Sequence, residues 1–311
     1  MIIIDSLYPG LTDKSNIKTA ITVGKFEALH QGHYDLIKAT INYANNNSLC
    51  PAVLSFVPNP VQVLHDKNYK PLLTTKESYY LLETTKVSYW IKYPFDENTS
   101  RMSPKDFCQL LKSQFNCKAL LVGEGFRFGY NQAGTQSILQ DLGRELGIEI
   151  ITIPTTQLDG EKISTSKIRT RLARGEIQEA NRLSGSPFTI HGVVEMGRQL
   201  GRTIGFPTAN IYPHNDKFLP PDGVYASKVF VWNRAFYPLG IGVTSIGTNP
   251  TIAKGQSRRV ETHIFNFNKD IYEEEIFVDL YAFIRPEKTF SGLDELKQQI
   301  AKDASEAQKV L

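Results

Sequence analysis

Gly201-Arg202-Thr203-Ile204-Gly205-Phe206-Pro207-Thr208-Ala209-Asn210 is the stretch from which the rest of the chain can be read. It gathers two glycines, a proline and short oxygen-bearing side chains within ten residues. Glycine permits positive φ or close backbone approach, and proline fixes one dihedral. If residues 208–211 are extended, Thr208 and Asn210 point to the same side. A hydroxyl and an amide oxygen beside a glycine-lined turn suit Mg²⁺, which takes hard oxygen ligands, keeps waters and completes its shell from phosphates. A plain Gly-Pro turn entering a strand is the competing reading, and the density of the decamer favours the metal site.

Around the decamer, residues 188–195, 223–232, 235–241, 260–267 and 275–284 read as short strands rich in Val, Ile, Phe and Tyr. With turns and no long helix between them, they predict an antiparallel sandwich or small barrel. Residues 293–310 have helical spacing, with Leu293, Leu296, Ile300 and Ala304 as an apolar stripe read as core packing. Parity along Val260-Glu261-Thr262-His263-Ile264-Phe265 places Glu261 on one face with His263, Phe265 and Phe267. An acid among aromatic neighbours is a candidate general base, although a lone strand glutamate is more often an exposed edge residue. Gly247-Thr248-Asn249-Pro250-Thr251 reads as a polar turn between strands.

Upstream the pattern changes. Residues 21–23, 52–56, 87–90, 119–122 and 148–151 are short apolar runs, and 34–45, 76–84, 104–115 and 136–146 have helical spacing between them. This βαβα alternation predicts a parallel sheet covered by helices, with ligands beyond the carboxyl ends of its strands. Pro104 suits a first helical position behind Ser103 as cap. A helix is expected from Ser166 to about Leu183. The breaker-rich Ser184-Gly185-Ser186-Pro187 then divides a domain of residues 1–184 from one of 185–311.

Composition agrees with two cores. The chain has 311 residues, of which 41% are hydrophobic, and 35 Lys+Arg against 32 Asp+Glu leave a net charge of +3. Near balance argues against broad nucleic-acid affinity. Three cysteines without CxxC spacing read as reduced thiols of a cytoplasmic protein. No leader-like start and no run of membrane-spanning length is present, so no membrane partner is expected.

Gly24-Lys25-Phe26-Glu27-Ala28-Leu29-His30-Gln31-Gly32-His33 follows the first predicted sheet strand and opens a helix. Two histidines there, with Gly32 between them, would face an anion beside free backbone N–H groups. Two exposed histidines or a metal pair are the weaker readings. No Gly-x-x-x-x-Gly-Lys-Ser/Thr and no Gly-x-Gly-x-x-Gly follows that strand.

The decamer resembles the flavokinase signature of riboflavin kinases and of the C-terminal half of prokaryotic FAD synthetases. His30-x-Gly-His33 resembles the nucleotidyltransferase superfamily. Ser55-Phe56-x-Pro58-x-Pro60, Val122-Gly123-x-x-Phe126-Arg127-Phe128-Gly129 and Ile163-Ser164-Thr165-Ser166-Lys167-Ile168-Arg169 are similar, in order, to the adenylyltransferase half. The resemblance implies a Rossmann-like α/β nucleotidyltransferase domain followed by a riboflavin-kinase-like antiparallel β-barrel with a terminal helix. It implies Mg²⁺–ATP held by Gly201, Arg202, Gly205, Pro207, Thr208 and Asn210, with Thr208 and Asn210 as metal ligands. Glu261 would be the base for the riboflavin 5′-hydroxyl, and Gly223, Tyr225 and Asn249 the wall of a flavin or nucleotide pocket. Gly24, Phe26, His30, Gly32, His33, Ser166 and Arg169 would form a second ATP site for adenylylating FMN.

The second motif set departs from the family. Phe26-Glu27-Ala28 stands for Phe-Asp-Gly, Glu124-Gly125 stands where an Asp-Phe step is expected, and Gln132 replaces a basic residue. Ångström-scale misplacement can cost about a hundredfold in rate. The expectation is therefore a riboflavin kinase whose adenylyltransferase is weakened or lost. A fully bifunctional enzyme is the alternative. A flavin-responsive regulatory or RNA-contacting protein, using the basic helix of Arg169, Arg171 and Arg174, is the alternative of another class.

Overall fold

A computed structural model describes residues 1–5, 17–197, 201, 204–232, 235–248 and 258–311. The chain forms two compact units. One comprises Met1–Pro71 and Ser78–Ile163, the other Leu72–Glu77 and Ser164–Leu311.

The first unit is built on β1 (Ile2–Asp5), β2 (Thr19–Val23), β3 (Cys50–Val57), β4 (Tyr89–Pro94), β5 (Cys117–Gly123) and β6 (Glu149–Ile153). All neighbours pair in parallel, in the order β1-β4-β3-β2-β5-β6. Central strands of such a sheet are covered on both faces, and every residue of β2 is buried. Helices Gln31–Asn46, Pro104–Phe115 and Gln136–Leu146 lie where the spacing predicts them. Ser103 caps its helix by accepting from Asp106 N at 3.1 Å, and Gly147 closes the last helix in the left-handed region at φ 66°. From β2 the chain lays β3 and β4 on one side, then returns to place β5 and β6 on the other. The reversal beside β2 is the topological switch point, the usual place for a ligand crevice. A hairpin of β7 (Gln157–Leu158) and β8 (Glu161–Lys162) follows.

The second unit is a closed antiparallel barrel of β9 (Phe188–Glu195), β10 (Ala209–Ile211), β11 (Gly223–Trp232), β12 (Phe236–Gly247), β13 (Arg259–Ile264) and β14 (Glu275–Arg285). Closure leaves no unpaired sheet edge. Alternate residues of β13 are buried, so Val260, Thr262 and Ile264 face inward. Inside, the hydroxyls of Ser227, Thr244 and Thr262 form a chain, with contacts of 2.7 and 2.9 Å. Each is buried, and the hydroxyls satisfy one another.

Two expectations change. The helix expected over 166–183 is two helices, Thr165–Ala173 and Ile177–Ser184, because Gly175 turns left-handed at φ 74° between them. By compactness the units part at Ile163/Ser164, so the helix pair before residue 185 packs with the barrel. Helix Ile177–Ser184 buries Ile177, Ala180 and Leu183, and Asn181 Nδ2 donates to Leu280 O on the barrel at 2.8 Å. The stripe on helix Leu293–Val310 is part of its buried face, since Leu296, Ile300 and Ala304 are half-buried and share that face with Asp303 and Ala307, but it is not the whole of it. Leu293 is 61% exposed, whereas Asp303 and Ala307 are buried. The Asp303 carboxylate accepts from Arg285 Nε at 2.9 Å and Nη2 at 2.7 Å, so a forked ion pair secures the helix to the end of β14.

Segment Leu72–Glu77 enters the barrel unit through a buried ion pair. Lys217 Nζ lies 2.6 Å from Glu77 Oε2, and both side chains have no exposed surface.

Candidate active site

In the barrel unit, the decamer is shaped by backbone constraints. Ile204 N and Phe206 N both donate to Gly201 O, at 3.2 and 2.8 Å. A Cβ on Gly201 would stand 2.3 Å from Phe206 O, and Gly205 lies at φ 88°. Both positions thus exclude side chains, for space in one case and for conformation in the other. The turn delivers Pro207 to His263, whose Nδ1 donates to Pro207 O at 2.8 Å. A carbonyl only accepts, so the proton is on Nδ1. Phe206 packs edge-on against the same imidazole, with centroids 5.3 Å apart.

Asn210 and Glu261 are direct cross-strand partners on β10 and β13. Opposed residues of an antiparallel pair project from the same face. The expected metal-cradle amide and the expected base therefore stand side by side. Asn210 Nδ2 donates to Thr208 O at 3.2 Å and lies 3.5 Å from Thr208 Oγ1. A Cβ on Gly197 would come within 2.5 Å of Asn210 Nδ2 and 2.9 Å of Oδ1, so only glycine leaves the amide its place. Thr208 and Asn210 border a cleft of about 80 Å³ that also includes Gly197, Thr262, Lys269 and Tyr272. Two uncharged oxygen ligands on a cleft open to phosphates fit Mg²⁺. Among the described residues, no three His, Cys, Asp or Glu side chains gather to hold a metal without such help.

Glu261 shares its face with His263, as parity predicts, but its immediate partner is ionic. Its carboxylate is paired with the Arg259 guanidinium two residues back on the strand. Of the pocket-wall residues, Tyr225 is fully buried, its ring against Phe283 and its hydroxyl donating to Pro221 O. Gly223 is pressed onto Phe283, 2.5 Å from where a Cβ would stand. Both act as packing positions here, not as an open pocket wall. Arg202 and Asn249 lie outside the described residues.

In the α/β unit, His30 ends the approach to helix Gln31–Asn46 at the switch point and is 8% exposed. His33 stacks on it with ring centroids 3.8 Å apart, and Phe26 flanks His33 at 5.0 Å. These are not exposed histidines. Burial lowers His30 from 6.5 to about 4, and burial with the neighbouring imidazole lowers His33 well below its ordinary value. Both are neutral at pH 7, and the Nδ1 atom of each is buried without a hydrogen-bond partner among the described residues. Two orphaned ring nitrogens beside a helix N-terminus form a site that an anion would complete. Gly32 lies against the His30 ring, and a Cβ there would be in ordinary contact with it at 3.4 Å.

A cavity of about 620 Å³ opens at the carboxyl ends of β2, β3 and β5, with Gly24, Phe56, Pro60, Phe126 and Phe128 in its lining. Gly24 and Lys25, Phe56 with Pro60, and Phe126 to Gly129 thus meet on one aromatic surface, sized for a flat organic ligand, whereas His30, His33, Ser166 and Arg169 are not in its lining. Left-handed backbone falls on Phe26 (φ 46°) and Leu29 (φ 42°), not on Ala28, so alanine there carries no strain. The Glu27 carboxylate is buried and accepts from Asn59 Nδ2 at 3.0 Å and Tyr69 OH at 2.7 Å. Phe126 supplies the aromatic of the expected Asp-Phe step, stacked on Phe128, so the loss is of the acid alone. Glu124 turns away to accept from Thr155 N at 3.1 Å.

Ser166 and Arg169 belong to the other compact unit. Ser166 is exposed, and the Arg169 guanidinium lies 5.0 Å from the Phe218 ring. Arg171 Nη1 donates to Glu176 at 2.7 Å, so the basic helix is partly neutralised from within. Sequence reasoning missed Arg259, and with it Glu287, whose carboxylate rests against Gly247. No local pattern marks either.

A hydroxyl–amide cradle beside a carboxylate on a closed barrel, joined in one chain to a parallel-sheet unit with two buried histidines at its switch point, fits the class of two-site nucleotide-dependent transferases. Family models agree in both halves: FAD synthetase matches residues 12–167 and riboflavin kinase matches residues 184–311. Bifunctional riboflavin kinase/FMN adenylyltransferases are similar along almost the full length. The Bacillus subtilis protein is 36% identical over 96% of this chain and 94% of its own. That of Buchnera aphidicola is 34% identical over 93% of both chains. The Escherichia coli protein is 36% identical over 91% of this chain and 90% of its own. A solved structure named a macrolide-efflux protein, from Streptococcus pneumoniae, covers 100% of both chains at a TM-score of 0.84 and 28% identity. The chain belongs to the bifunctional riboflavin kinase/FMN adenylyltransferase family. It is an ATP-dependent riboflavin kinase, with ATP as substrate and Mg²⁺ as the usual metal. No helix among the described residues is long and apolar enough to cross a membrane.

Proposed function

We propose that the barrel transfers the γ-phosphoryl group of ATP to the riboflavin 5′-hydroxyl, and that the α/β unit adenylylates the resulting FMN at a reduced rate. The observation that carries the first half is the direct pairing of Asn210 with Glu261. Thr208 and Asn210 would hold Mg²⁺–ATP, where the ion would supply compensation for the charge on the phosphoryl group. Glu261 takes the hydroxyl proton as the new O–P bond forms and the bond to the ADP oxygen breaks. Arg259 occupies Oε1 of Glu261, so that oxygen takes the proton only after the ion pair opens.

For the second half, the 620 Å³ aromatic cavity and the unstrained Ala28 support retention of a nucleotide and flavin site. The missing acid at Gly125 and the tethered Glu27 support a slower reaction. The reading therefore is weakened, not abolished. It divides labour at 184/185 and assigns the protein to the cytoplasm. Incubation with riboflavin, ATP and Mg²⁺, followed by chromatography of the flavins, tests it. FMN accumulating ahead of a slower rise in FAD supports the proposal. FAD formed as fast as FMN overturns the reduced rate, and no FMN at all overturns the kinase assignment.

A further inference from the structure

The base of the proposed kinase step is guarded by a neighbour that has a second place to go. Arg259 and Glu261 are two apart on β13, share a face and are ion-paired, with side chains 23% and 27% exposed. Directly across from Arg259 on β12 stands Gly247. A glycine opposite leaves the cross-strand position empty, and Glu287 fills it. A Cβ built on Gly247 would coincide with the Glu287 carboxylate, 1.9 Å from Oε1 and 2.7 Å from Cδ. That Cβ would project from the same face as Arg259, where opposed Cβ atoms lie roughly 4.5–5.5 Å apart. One guanidinium thus stands between two carboxylates, one along its strand and one across it.

Only one of them is engaged. Arg259 is clasped to Glu261, whereas Glu287 makes no hydrogen bond or ion pair with the described residues. Burial and the nearby Asp222 push the Glu287 carboxyl above its ordinary value, and Arg258, Arg259 and Arg285 oppose that shift from a distance. Glu287 is an exposed residue, so its carboxylate can exchange solvent for an arginine that turns to it. The arginine side chain is long enough to reach either carboxylate from one Cα, and a planar fork suits both.

We propose that Arg259 is a switchable guard on Glu261, clasped to it in the absence of substrate and drawn across the strand to Glu287 when the riboflavin hydroxyl arrives. Glu261 is then free to accept the proton, and the guanidinium remains paired instead of being left beside the substrate. Arg259 and Glu287 are positioning residues, and Glu261 alone touches the reacting atoms. The inference rests on the reading of Glu261 as base. Gly247 is integral to it, since any Cβ there would displace the Glu287 carboxylate.

The test uses the full-length protein, with riboflavin and Mg²⁺–ATP turnover resolved into kcat and KM. Glu287→Gln leaves Arg259 on Glu261 and is expected to lower kcat about tenfold, with the KM for ATP within twofold. Arg259→Gln alone is expected to keep kcat at or above the parent. Combining them is expected to restore kcat to within twofold of Arg259→Gln, a rescue that a merely structural role for Glu287 would not give. The guard is overturned if Glu287→Gln turns over like the parent, if Arg259→Gln lowers kcat more than threefold, or if the double variant is slower than Glu287→Gln. Should Glu287→Gln fold poorly by circular dichroism, the Arg259→Gln single variant decides the matter on its own threshold. Glu261→Gln separates the two readings. If it leaves kcat unchanged, the base assignment fails. If it abolishes turnover while the other variants behave independently, only the guard fails.

Discussion

Replacing Lys217 by methionine removes one charge from a pair that no solvent reaches. Lys217 Nζ donates to Leu72 O at 2.5 Å, to Glu77 Oε2 at 2.6 Å and to Thr189 O at 2.9 Å, so all three ammonium protons are used. Glu77 accepts in addition from Thr74 N at 2.7 Å and His191 N at 2.9 Å. Burial pushes the Lys217 ammonium below its ordinary value, and Glu77 opposes the shift. Methionine keeps the length and apolar contacts but leaves the Glu77 charge without its cation, at a cost of about 3–5 kcal/mol. The double variant Lys217→Met/Glu77→Gln removes both charges and leaves chiefly two unsatisfied backbone carbonyls, about 2 kcal/mol. The two carboxamide-and-thioether side chains should therefore be less damaging together than the single methionine. Calorimetry of the full-length protein reads this as a fall of roughly 10 °C in one transition for the single variant and a partial recovery for the double. A single-variant shift below about 1 kcal/mol, or losses that simply add, would refute the reasoning.

Four further outcomes are expected. Glu261→Gln should lower kinase kcat by about 10²–10⁴ with the KM for ATP within twofold, and steady-state kinetics with riboflavin would show it. Gly197→Ala places a methyl 2.5 Å from Asn210 Nδ2 and should raise the KM for Mg²⁺–ATP about tenfold while riboflavin binding holds. His30, held at about 4 by burial against an ordinary 6.5, is neutral in the fold. Between those values the unfolded chain binds more protons, so stability falls on acidification, on the order of 3 kcal/mol in total. Denaturant midpoints from pH 7.5 to 4.5 should fall more steeply for the parent than for His30→Asn, and parallel curves would count against the burial argument. Asp279 runs the other way, raised from 3.8 to about 6 by burial although Thr189 and Lys228 oppose the shift. The folded chain holds more protons over that window, so stability drops as pH rises through it. Asp279→Asn should consequently stabilise at pH 8 more than at pH 4, and equal effects at both would contradict this.

Much of the fold was legible because its elements are locally encoded. Helices Pro104–Phe115 and Gln136–Leu146 and strands β9 and β11 fall on the residues that periodicity, cap and breaker signals mark. The parity of β13 alone puts Glu261 and His263 on one face. Less legible were features with weak local signals. The break at Gly175 sits inside a continuous helical pattern, where a single glycine is often tolerated. The final helix shows an apolar stripe, yet it turns Asp303 inward because Arg285 is there to meet it.

The amino-acid order by itself determined two cores, their classes, the turn that carries Thr208 and Asn210, and the chemistry those oxygens favour. These depend on dihedral preferences and on spacings within a few residues. Tertiary structure alone decided which groups meet: Lys217 with Glu77 across 140 positions, Asn210 with Glu261, and Glu287 in the space that Gly247 leaves. Such meetings are set by strand register and burial, which turn a distant charge or an absent methyl into a partner. No window of sequence contains that information.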